Sequence, residues 1–299
     1  MRPSTERLTC PGRGAWGRML WIGAALFAAG AAQASLQGRD VDGNAANGFE
    51  AYYDNVLGIT WLADANHAYS SGQAAGSFGA MTWTATQAWL SGSVNAGGGL
   101  YGVTTWRLPA STLANPPNFT YGSLSDYYIG AADYGINHSQ HSNELGYMYS
   151  VNLGLRAHAD TAGVDYLDGT YGLTSPSVQQ SNMVLGGFYN TAQLVDLTHG
   201  DSGLTFRRIS TDALWTGTTV TDDPEVGSGT WALYLQTNDG IMDVIESTAS
   251  SAGSNTAAAW LVADGDVFST AVPEPGSLAL MLGGLGVLGW RRHRRGRAR

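Results

Sequence analysis

The first candidates for chemistry are three titratable positions close in sequence. HSQHSNE places His138, His141 and Glu144 at i, i+3 and i+6. On a helix such side chains can converge on one metal ion, because imidazole and carboxylate suit zinc and its neighbours. The Ser, Gln and Asn between them, bracketed by Gly135 and Gly146, favour a polar loop with Glu144 opening a helix. A second candidate is DVDGNAANGFE, where Asp40, Asp42 and Asn44 take positions 1, 3 and 5 of a calcium loop. Position 6 is Ala45 rather than glycine, and Glu50 stands one place early for position 12, which is Ala51. An Asp- and Asn-rich turn is the plainer reading, and Ca²⁺ stays open as a cofactor. TDDPE (Thr221–Glu225) and the pair Asp264 and Asp266 are further loop carboxylates of the same kind. No G-x-S-x-G, H-E-x-x-H, phosphate-loop or dinucleotide pattern occurs. Paired carboxylates for glycoside hydrolysis meet only in the fold, so a glycan hydrolase stays an alternative to a non-catalytic protein.

The elements around these residues read mainly as short strands. In FEAYYDNVLGITWLADA, two β-prone runs flank the turn-prone DNVLG, which predicts a hairpin. Ile59, Trp61 and Ala63 share one face of the second run, and Thr60, Leu62 and Asp64 share the other. Both faces are partly apolar, so this strand is expected to be buried on two sides. MTWTATQAWLSG carries Ala85, Ala88 and Trp89 at helical spacing. Thr84 with Gln87 fits a capping box, Thr82 is the other candidate cap, and Gly92 can end the helix. In VTTWRLPAS, Trp106 and Leu108 point to one side of a strand, with Arg107 opposite and Pro109 as its stop. Arg107 is expected in a structural ion pair.

Charge is divided sharply along the 299 residues. All 15 basic residues are arginine, four before residue 19 and six after residue 290. Residues 35–272 hold 22 acidic side chains against five arginines, a formal −17. Such a segment repels phosphate backbones, so nucleic acid is not an expected partner. It stays soluble and can attract cations. At the N-terminus, arginines precede the apolar Met19–Ala32, and Ala32-Gln33-Ala34 is a small-x-small cleavage pattern. Residues 1–34 are therefore expected to be a signal peptide removed by signal peptidase, with Ser35 first in the mature chain. Cys10, the only cysteine, leaves with it, so no disulfide or thiol chemistry remains.

At the other end, Pro273 and Pro275 keep Val272–Gly276 extended. The apolar run 278–290 follows, then Arg291, Arg292 and four more arginines. As a helix the run reaches ~21 Å, against ~30 Å for a bilayer core, and the arginines set the C-terminus on the cytoplasmic side. Val272, Pro273, Glu274, Pro275, the apolar run and the arginines resemble the PEP-CTERM sorting signal. That resemblance implies an exported protein of a Gram-negative bacterium, held briefly at the inner membrane through 278–290 and cut near the motif by an exosortase. Its destination is the cell surface or the exopolysaccharide matrix.

Between the signals lies an extracellular domain, residues 35–271, with a core expected at 50–268. GITW (Gly58–Trp61), MTWTATQAW and TWRLP (Thr105–Pro109), in this order, resemble the DUF1566 or Lcl C-terminal family. NELGYMYSVNLG, LWTGT, GTWALYLQTNDG and AWLVADGDV resemble its later segments, with Ala263 where arginine is usual. The Thr-Trp helix followed by Arg-Leu-Pro is also similar to formylglycine-generating-enzyme-like and C-type-lectin-like domains. The resemblance implies an α+β fold, a few helices on a twisted, mostly antiparallel sheet with long loops. The mature chain lacks the cysteines that formylglycine chemistry needs. Carbohydrate, as matrix polysaccharide, is the expected ligand of a non-catalytic domain, through stacking Tyr and Trp and hydrogen-bonding Asp and Asn. A purely structural matrix component is the remaining alternative.

Overall fold

The computed structural model describes residues 36–44, 46–111, 133, 135, 137–160, 164, 166, 171–173, 183–189, 194–199, 204–223, 227–247 and 255–268. Three antiparallel sheets organise them, where the sequence predicts one. The first has the order β1 (Leu36–Arg39), β2 (Ala51–Asp54), β3 (Ile59–Leu62), β10 (Val262–Asp264). The second joins β4 (Met183–Tyr189), β5 (Leu194–His199) and β6 (Thr205–Ser210), and the third β7 (Ala213–Asp223), β8 (Gly227–Gln236) and β9 (Met242–Glu246). Sheets two and three are local meanders. The first is closed by strands from opposite ends of the domain, a pairing that no local pattern announces.

The predicted hairpin forms as β2 and β3. Asp54 Oδ1 accepts the amides of Val56 and Leu57, and Gly58 closes the turn at φ +69°, a conformation that favours glycine. All four residues of β3 are buried. Ile59 and Trp61 enter one apolar cluster with Tyr52, Phe206 and Trp260, while Leu62 enters another with Trp89, Trp106, Leu108 and Trp215. Trp61 and Trp260 meet edge-on at 5.2 Å, and Phe206 meets Trp260 at 5.1 Å. The sheet thus separates two cores, as the two apolar faces of the strand predict.

Helix α1 (His67–Ser70) follows β3, and α2 (Trp83–Trp89) follows a short 3₁₀ turn at Ala75–Ser77. Thr82, not Thr84, caps α2: its Oγ1 accepts the Ala85 amide at 3.2 Å. Thr84 instead donates to the Ser247 carbonyl. The inward face is Thr86 and Trp89, and Ala85 and Ala88 are exposed. Thr86 tolerates burial because its hydroxyl donates to the Thr82 carbonyl. Gly92 does not end the helix; the chain continues through a wide π-turn, Leu90–Val94, until the Asn95 amide donates to the Leu90 carbonyl. Helix α3 (Glu144–Tyr147), capped by Asn143, runs into the same kind of π-turn at Met148–Asn152. The expected Trp106–Leu108 strand is a single bridge, Arg107 to Val262, with Trp106 and Leu108 buried.

No helix among the described residues is long and apolar enough to cross a membrane. The cleavage residues Ala32 and Ala34, the Val272–Pro275 motif, the run 278–290, Arg291 and Arg292 lie outside the described residues.

Candidate functional site

A groove of about 330 Å³ opens between α1 and the end of α2. His67, Ser71 and Gln73 line one wall; Trp89, Ser93, Val94 and the Ala96–Leu100 loop line the other. Asparagines set both walls. Asn66 caps α1 by accepting the Tyr69 amide, and its Nδ2 donates to the Phe78 carbonyl, fixing the loop between. Asn95 exchanges two hydrogen bonds with the Trp106 backbone, at 2.8 and 2.9 Å. Gly99 allows the loop to close: a Cβ there would lie 2.0 Å from the Val103 carbonyl oxygen. The His67 and Trp89 rings lie 6.2 Å apart and tilted by 33°. The Gln73 amide and Ser93 hydroxyl, both exposed, bond to no group among the described residues. An aromatic floor with a few free polar groups at its rim is the usual make-up of a small-molecule site of this size.

Behind His67 lies Asp64, buried at 7% exposure. Burial alone would raise its pKa. The nearby His67 imidazole, the Arg208 guanidinium and the Ser70 hydroxyl outweigh that and hold the carboxyl well below the usual range. Ser70 Oγ donates to Asp64 Oδ2 at 2.5 Å, and Arg208 bonds both carboxylate oxygens at 2.9 and 2.5 Å. Asp64, His67 and Ser70 resemble a nucleophilic triad in composition but not in wiring. His67 Nδ1 faces both Ser70 Oγ, at 3.4 Å, and Asp64 Oδ2, at 3.9 Å. A relay needs one ring nitrogen on the hydroxyl and the other on the carboxylate. Here the serine proton is committed to the carboxylate.

The sequence-predicted metal residues separate into two groups. Asp40 and Asp42 converge with Glu50, all three offering oxygens within 4.8 Å of one another. Asn44 is not the third member; its side chain accepts the Ala46 amide, while its own amide bonds Asp42. The Asn47 amide and that Asn44 N–H lower the exposed Asp42 carboxyl. Glu50, one place early for a calcium loop, comes into reach because β2 begins directly after it. It is 5% exposed and accepts the Val41 amide.

His138, His141 and Glu144 do not converge. Glu144 is taken by Arg107, whose Nη1 and Nη2 donate to its two oxygens at 2.7 and 2.8 Å. Arg107 also reaches Asp264 through Nε and Nη2, at 3.0 and 2.5 Å. These bonds, first those to Glu144, raise its pKa against the opposing effect of burial. This is the expected structural pair, with a second carboxylate. His141 packs edge-on against Tyr147, and His138 against Tyr149 at 5.9 Å. His138 is 1% exposed, and neither ring nitrogen has a hydrogen-bond partner among the described residues. Burial depresses its pKa, with Asp133 opposing.

One perturbed carboxyl gave no sequence signal. Asp239, in the β8–β9 turn, is pushed up to about 6 by burial, against its hydrogen bond from the Ile241 amide. The groove residues were equally hidden. Trp89 entered the sequence reading only through its helical spacing, and the structure buries it in the second core.

Comparison with known proteins finds a match at the C-terminal end alone. No curated protein and no solved structure matches the chain. Residues 271–295 match the PEP-CTERM protein-sorting motif, so the chain carries the mark of an exosortase-targeted, exported surface protein of Gram-negative bacteria.

Proposed function

We propose that this is a non-catalytic surface or matrix protein that binds neutral carbohydrate in the groove between α1 and α2. The observation that carries the reading is the groove itself: the half-buried His67 ring above the buried Trp89 ring, beside Gln73 and Ser93 polar groups that bond to nothing among the described residues. Aromatic faces take the apolar face of a sugar ring, and amide and hydroxyl groups take its hydroxyls. The sorting motif supports the setting, a matrix rich in exopolysaccharide, reached after brief residence at the inner membrane through 278–290.

The test is a glycan array probed with protein released from the cell surface, beside the Ser93→Trp variant. Ser93 is exposed, so the added ring fills the groove without entering the core. The reading expects glycan binding by the native protein and its loss in the variant. No glycan bound leaves a structural matrix component; release of reducing ends identifies a hydrolase. Either result overturns the proposal.

A further inference from the structure

The first and last described strands, β1 and β10, belong to one sheet. Leu36, Asp54, Ile59 and Asp264 form a continuous cross-strand row through the pairings of β1, β2, β3 and β10. Three strand spacings, ~14 Å, separate its ends. Beyond Asp264 the chain turns at Gly265, where φ is +76°, and Thr60 Oγ1 donates to the Gly265 carbonyl. The Asp266 carboxylate then grips the Arg39 guanidinium of β1 with two bonds, at 2.8 and 2.5 Å. The two terminal segments of the domain are clipped together side by side.

The N-terminal segment follows a signal peptide expected to be removed, so the tail beyond Phe268 is the tether to the membrane. Leu36 is two residues after Ala34, the expected signal-peptide cut. Phe268 is ten residues before the apolar run that begins at 278, a reach of at most ~36 Å when fully extended. Until the chain is cut, this side of the domain therefore stays close to the bilayer surface.

The exposed apolar side chains are placed to match. Four large hydrophobic residues are exposed among those described: Phe49, Tyr101, Val151 and Val164. The two aromatic ones each pack against a terminal segment. The Phe49 ring covers β1 so closely that a Cβ on Gly38 would come within 2.4 Å of it. Tyr101 packs edge-on against Phe268 at 6.5 Å. Phe49 is 38% exposed and Tyr101 44%. Aromatic rings favour the bilayer interface. Charge does not drive the contact: Arg39 and Arg107 are matched by Asp266 and Asp264, and Asp40 and Asp42 follow Arg39. The tail tether supplies a high effective concentration, so two weak aromatic anchors suffice.

We propose that the side of the domain carrying Phe49, Tyr101 and the Arg39–Asp266 clip rests on the outer leaflet of the inner membrane until the tail is cut, with a lipid surface as its partner. The inference rests on the sorting reading and adds the orientation of the folded domain. Its test uses the tail-bearing chain, which has lost Cys10 with the signal peptide, in membranes of an exosortase-deficient strain. Single cysteines at Phe49→Cys, Tyr101→Cys and Val164→Cys carry a fluorophore, and nitroxide-labelled phospholipid is the quencher. Quenching several-fold stronger at 49 and 101 than at 164, falling to the level at 164 after cleavage, is the expected result. Equal quenching at all three positions overturns the proposal. So does protection of 49 and 101 from an aqueous thiol reagent without lipid quenching, which indicates a protein partner. Unchanged tryptophan emission of each released variant checks that it has folded. The mass of the released native protein separates the two readings: a truncated C-terminus with equal quenching sinks only the orientation, and an intact one sinks both.

Discussion

Removing Arg107 tests how the domain is joined. Its guanidinium connects the Trp-Arg-Leu-Pro segment, the start of α3 and β10, three pieces far apart in sequence. Arg107→Met keeps much of the aliphatic stem and deletes the charge. The Glu144 side chain is 12% exposed and would keep one donor, the Ala110 amide at 2.7 Å. Stripping one partner from a fully buried pair costs ~3–5 kcal/mol. The remaining amide and the one-third exposure of Arg107 reduce that. Asp264, 78% exposed, adds little. The expected loss is about 2–3 kcal/mol, or a Tm drop of ~4–12 °C for a domain of this size. Equilibrium urea unfolding followed by tryptophan emission reads it, with an unchanged slope expected. Asp264→Asn should cost less than ~1 kcal/mol. A loss under ~0.5 kcal/mol for Arg107→Met, or an equal loss for Asp264→Asn, would refute the reasoning.

Two buried titratable groups give stability opposite slopes with pH. His138 has a depressed folded pKa, so the unfolded chain takes the proton first and stability falls as pH drops below 6.5. His138→Leu should flatten that acid limb, which otherwise falls by up to ~1.4 kcal/mol per pH unit, and should gain stability at pH 7 by removing two unpaired buried nitrogens. Asp239 has a raised folded pKa, so its contribution is present below 3.8 and lost as pH rises to about 6. Asp239→Asn keeps the acceptor for Ile241, so urea midpoints should rise at pH 7 and stay level at pH 4. Because the groove shares no residue with Asp40, Asp42 and Glu50, glycan binding should survive EDTA; its loss would move the site to that carboxylate loop.

What could be read from sequence was local. The alternation in β3, the DNVLG turn and the alternating Trp106-Arg107-Leu108 pattern are set by neighbours two to four residues apart, and the fold keeps them. Glu144 opens a helix as its surroundings suggest. The inward face of α2 was misread because alanine is compatible with either side, while a buried threonine can satisfy its own hydroxyl along the helix. Gly92 looked like a stop, but the chain there takes a wide turn that needs no left-handed residue. Glu50 was set aside by a fixed twelve-residue register that an irregular loop need not obey. The division into three sheets and the groove depend on distant partners: β10 on β3, Asn95 on Trp106, Asn66 on Phe78. No local period carries such information. Arg107 was legible as paired, but its second partner, Asp264, lies 157 residues away.

The most direct measurement is the intact mass of the protein recovered from the cell surface. The account predicts a chain that begins at Ser35 and ends near Val272–Pro275, free of the apolar run and all six terminal arginines. A surface-exposed protein that still ends at Arg299 would contradict it.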